Sequence, residues 1–68
     1  MIENKLKALE QKVNEIKSSC YCILQDIEDF EGYDELFIME NNFRSIQRDA
    51  SEATSIVLKA YDELEEEK

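Results

Sequence analysis

From Ile2 onward, apolar residues recur at alternating steps of four and three: Ile2, Leu6, Leu9, Val13, Ile16, Cys20, Ile23, Ile27 and Phe30. Such an alternation, held without a miss, is the heptad repeat of a helix with a packing seam. Ile2, Leu9, Ile16, Ile23 and Phe30 take the d positions, and Leu6, Val13, Cys20 and Ile27 the a positions. The opposite face carries Asn4, Gln11, Ser18 and Gln25, as a solvated face should. A second stripe obeys the same rule, with Leu36, Phe43, Ala50, Val57 and Leu64 at a, and Met39, Ile46, Ala53 and Ala60 at d.

The two stripes are out of phase. The first would continue at 34 and 37, whereas the second starts at 36, an offset that no stutter or stammer absorbs. One straight helix is therefore excluded, and the break falls at Glu31-Gly32-Tyr33-Asp34. Gly32, the only glycine, is placed to end the first helix in a left-handed conformation at no Cβ cost. Asp34 is placed to cap the second, with Glu35 favouring its positive end. The spacing predicts a single domain over 1–68, with helix 1 at about 2–30, the turn at about 31–34 and helix 2 at about 35–65. When the arms are folded antiparallel, Phe30 meets Leu36 and Ile2 meets Leu64, every layer joining an a to a d. Alanines of the second arm then oppose Ile16, Val13 and Leu6, and Lys5 neighbours Glu63 at the flanking g positions. The expected fold is all-α: a two-helix antiparallel coiled-coil hairpin.

Apolar residues outside the stripes extend this picture. Tyr21, Leu24, Phe37, Leu58 and Tyr61 occupy b and e positions, which share one side of an antiparallel pair; Cys22, Ile38 and Ile56 lie on the other. Two helices bury a single seam, which is thin for a chain of 68 residues. The five b and e residues are the candidate protein interface, and dimerisation into a four-helix bundle is expected across them.

Charge narrows the functional classes. The formal net charge is −9, which argues against direct nucleic-acid or anionic-membrane binding, since both need a basic face. From Asp26 to Glu40 there are seven acidic residues and no basic one. Asp26, Asp29, Glu31, Asp34 and Glu35 form a candidate acidic tip suited to a partner with a basic surface. No early apolar run resembles a signal peptide or membrane span, so a cytoplasmic protein with reduced thiols is expected.

The chemistry-bearing residues are few. Cys20 and Cys22 point about 200° apart on a helix, too far for a mutual disulfide, and no histidine joins them as a metal ligand. Glu65, Glu66 and Glu67 have no pocket to tune them as acids or bases. No catalytic residue, cofactor or metal site is expected. The functional expectation is a small acidic, non-enzymatic interaction module that homodimerises and chaperones or inhibits another protein. Two alternatives are an acidic decoy that mimics nucleic acid, of the kind that inhibits a defence or regulatory protein, and a purely structural self-assembling protomer.

Overall fold

A computed structural model describes residues 2–66. It consists of two helices, α1 (Ile2–Glu28) and α2 (Tyr33–Glu66), packed side by side into a rod with Cα extents of 55 × 14 × 10 Å. The chain reverses between them, and Lys5 of α1 meets Glu63 of α2 at 2.9 Å. Of the acidic tail, Glu67 and Lys68 lie outside the described residues.

Helix α1 ends at Glu28, two residues before the apolar stripe does. Its last i to i−4 backbone bond runs from Asp29 N–H to Gln25 C=O at 2.9 Å. The last turn holds no basic residue; Asp26 and Glu28 instead face the negative end of the helix dipole, which shortens the helix. Helix α2 starts earlier than the spacing predicts, at Tyr33. Gly32 adopts φ +156° immediately before it. It therefore belongs to the start of α2 and does not close α1 in the left-handed helical region. The cap comes from Glu35 rather than Asp34. Its Oε1 accepts the N–H of Gly32 at 2.9 Å and that of Glu31 at 2.8 Å. This is the returning half of a capping box, in which the third residue of a helix reaches back to the residue before its first turn.

The seam differs from the expected a/d packing. The d residues Ile2, Leu9, Ile16, Ile23, Met39, Ile46, Ala53 and Ala60 are buried or half-buried. Their companions are the g residues: Lys5, Lys12, Ser19 and Asp26 from α1, with Glu35, Asn42, Asp49, Ile56 and Glu63 from α2. The a residues Leu6, Val13, Cys20, Ile27, Leu36, Phe43, Ala50, Val57 and Leu64 are all exposed. The cause is the width of the apolar arc. At 100° per residue, the d, a, e and b positions span about 160° of each helix. One neighbour covers only an edge of such an arc. Pairing through d and g covers that edge, joins Lys5 to Glu63, and leaves a, e and b facing outward together.

Little is fully buried as a result. Among the described residues only Ile23 and Asp49 are buried, at 6% and 4% exposure. Asp49 lies 3.9 Å from Lys12 across the seam and 3.7 Å from Arg48 on its own helix. Lys12 also reaches Glu52 at 3.4 Å and Glu15 at 3.3 Å. Burial pulls the Lys12 ammonium down, and hydrogen bonds to Glu15 and Glu52 more than reverse this, leaving it above its ordinary value. No helix of the described residues is long and apolar enough to cross a membrane.

Candidate interaction surface

The outward a, e and b positions of both helices lie on one side of the hairpin, because reversing a helix mirrors its wheel. Tyr21, Leu24, Phe37, Leu58 and Tyr61 all stand there, each between 59% and 63% exposed. They are joined by the a residues that the seam leaves out. Leu6, Val13 and Ile27 run along α1, and Leu36, Phe43, Val57 and Leu64 along α2. Phe30, in the turn, is also exposed. Among the described residues, every exposed large apolar side chain of the two helices except Tyr33 and Ile38 belongs to this side. An apolar patch running the whole length of a hairpin is far larger than scattered surface residues produce.

The b and e residues were legible as leftovers of the stripe. The heptad spacing places the a residues in the intramolecular seam, whereas the structure leaves them exposed. Two signals pointed to them. The apolar arc is wider than one neighbour can cover, and Lys5 opposes Glu63 at g, which suits a seam turned toward g.

The opposite side of the hairpin is polar. A shallow groove there is lined by Lys12, Glu15, Ser19, Ser45, Arg48, Asp49 and Glu52. Its charges are paired with one another, with Arg48 lying 3.9 Å from Glu52. Cys20 and Cys22 are free and exposed, and no cluster of potential metal ligands occurs among the described residues.

The turn divides the five candidate tip acids. Asp29, Glu31 and Asp34 are exposed, with Asp29 accepting a hydrogen bond from the Gln25 amide. Glu35 is half-buried and holds the cap. Asp26 turns into the seam, where its Oδ2 is enclosed without a hydrogen-bond partner among the described residues. The exposed acids thus form a smaller group than the sequence cluster, and Glu31 and Asp34 line a shallow site at the turn with the exposed Tyr33.

Comparison with protein-family models, curated proteins and solved structures finds no match to the chain.

Proposed function

We propose that this protein is a small non-enzymatic interaction module. It self-associates through its open apolar side as a four-helix bundle and uses its polar ends to hold a protein that it chaperones or inhibits. One observation carries the reading: the large a residues of both helices, with Tyr21, Leu24, Phe37, Leu58 and Tyr61 beside them, are exposed on one side that the hairpin itself leaves uncovered. A helix in a four-helix bundle meets two neighbours about a quarter-turn apart, which is the separation between the observed d/g seam and the exposed a/e edge. Cytoplasmic placement fits a chain that keeps two free thiols.

The pair Leu24→Asp and Tyr61→Asp tests the reading by placing charge in the middle of that side. Sedimentation should show the wild type as a dimer and the double variant as a monomer with reduced helicity. A wild type that stays monomeric and fully helical at high concentration sinks the self-association.

A second reading, the acidic decoy, draws support from Asp29, Glu31 and Asp34 at the tip. Its mark is binding to a basic nucleic-acid-binding protein that falls steeply with salt and vanishes when these three become Asn or Gln. Docking through the apolar side is insensitive to both changes.

A further inference from the structure

We infer that two copies of this chain pack through their apolar sides with their turns at opposite ends, making the assembly a rod with one acidic tip at each end. The inference rests on the self-association proposed above and adds its geometry.

The occupant of the apolar side follows from area and from the thin core. The backbone of that side measures 55 × 14 Å, about 770 Å², close to the ~800 Å² per partner that a stable interface requires. Among the described residues a single apolar side chain is fully buried, so covering this side is the main way left for the fold to gain apolar burial. The only surface always present in equal amount and of matching length is the same side of a second copy.

A two-fold axis brings two such sides together in two ways: turns at the same end, or turns at opposite ends. Charge separates them. The segment from Asp26 to Glu40 holds seven acids and no base. Turns at the same end pack two such segments face to face, with helix axes about 10 Å apart, close to the ~8 Å over which salt screens charge, and set Glu28 near the height of the partner's Glu40. Turns at opposite ends part the segments by nearly the 55 Å length of the rod, far beyond the ~8 Å over which salt screens charge. They also bring Glu28 to the height of the partner's Lys7, since both are b positions near opposite ends of α1.

Side-chain volume agrees. The bulky Phe43 lies near the turn, and Val57 lies at the mirrored height of α2. Opposite ends place Phe43 beside the partner's Val57 and Ile27 beside the partner's Leu6, which evens the thickness of the interface. Same ends stack Ile27 on Phe43 at one end and leave Val13 against Val57 at the other. The opposite-end rod is bivalent: its two tips are too far apart to touch one globular domain together, so each dimer joins two partner molecules.

Spin labels at the tip read the arrangement directly. Tyr33, the most exposed of the large apolar side chains at 84%, is replaced in a Cys20→Ala, Cys22→Ser, Tyr33→Cys chain, and the distance between labels is measured by pulsed electron resonance. A distance near 55 Å supports the rod. A distance within about 20 Å overturns it while leaving the dimer intact. Absence of any dipolar coupling, with a monomer in sedimentation of the wild type, overturns the self-association itself. Glu31→Cys in the same background repeats the measurement should the Tyr33 variant lose helicity.

Discussion

Two residues at the turn hold the chain in its reversed path by different means. Gly32 sits at φ +156°, a conformation that L side chains rarely adopt, and no heavy atom lies within 4 Å of where its Cβ would stand. Substitution there costs backbone energy alone, so Gly32→Ala should lower stability by about 1 kcal/mol or more, measured as a shift of the urea midpoint. A midpoint unchanged within error would show that the turn relaxes to another path. Glu35 acts through its carboxylate, which gathers two amide N–H groups that would otherwise stay unpaired at the start of α2. The glycine was legible in the sequence as a breaker, but its role was not. The deciding fact is the early end of α1, where Asp26 and Glu28 crowd a helix C-terminus. The capping signal was also present, as glutamate three residues after Gly32, and was obscured by the nearer Asp34.

Between elements, the seam is half apolar and half charged, and its charged half fixes which faces meet. Lys5 donates to Glu63, and this hydrogen bond holds the Glu63 carboxyl below its ordinary value of 4.5, against the partial burial that pushes it up. A depressed carboxylate stabilises the fold above its unfolded value and loses that contribution as pH falls through the folded one. Wild type should therefore melt above Glu63→Gln at neutral pH, with the gap constant down to about pH 4.5 and closing below it. A gap that persists in acid would mean that packing, not charge, is lost in the variant. Asp49 is the sharper case, a carboxylate buried at the centre of α2 beside Lys12 and Arg48. Lys12→Met alone should lower the urea midpoint by leaving Asp49 poorly compensated. Lys12→Met with Asp49→Leu should restore or exceed it, because apolar replacements of buried ion pairs are commonly no less stable. The pair's remaining value is specific registration of α1 on α2. The helices and their antiparallel pairing were readable from heptads and phase. The rotation of the seam was not, because heptad letters rank positions by polarity and do not say how many neighbours share an arc.

At the scale of the whole molecule, the apolar arc and the acidic charge are segregated. One side of the rod carries most of the exposed large apolar side chains, the other carries the ion pairs around Lys12 and Asp49, and the turn carries the exposed acids Asp29, Glu31 and Asp34. If the hairpin self-associates as proposed, folding and association become one reaction, since a second copy then covers the apolar side. The melting temperature should rise with protein concentration, as it does for any fold stabilised by binding its own copy. Calorimetry across a hundredfold range of concentration checks this. A melting temperature independent of concentration would place the full stability in the single hairpin.

The solitary burial of Ile23 then has a cellular consequence. Ile23→Ala should remove about 3 kcal/mol, a large share of what so small a core supplies. In a lone hairpin the rest of the apolar seam is only half-buried, and under the proposed self-association such a chain opens to proteases more often than a paired one. Under the proposed self-association, newly made chains are protected as they find one another. Abundance would then act as a threshold: below it the protein is cleared, and above it the paired hairpins persist.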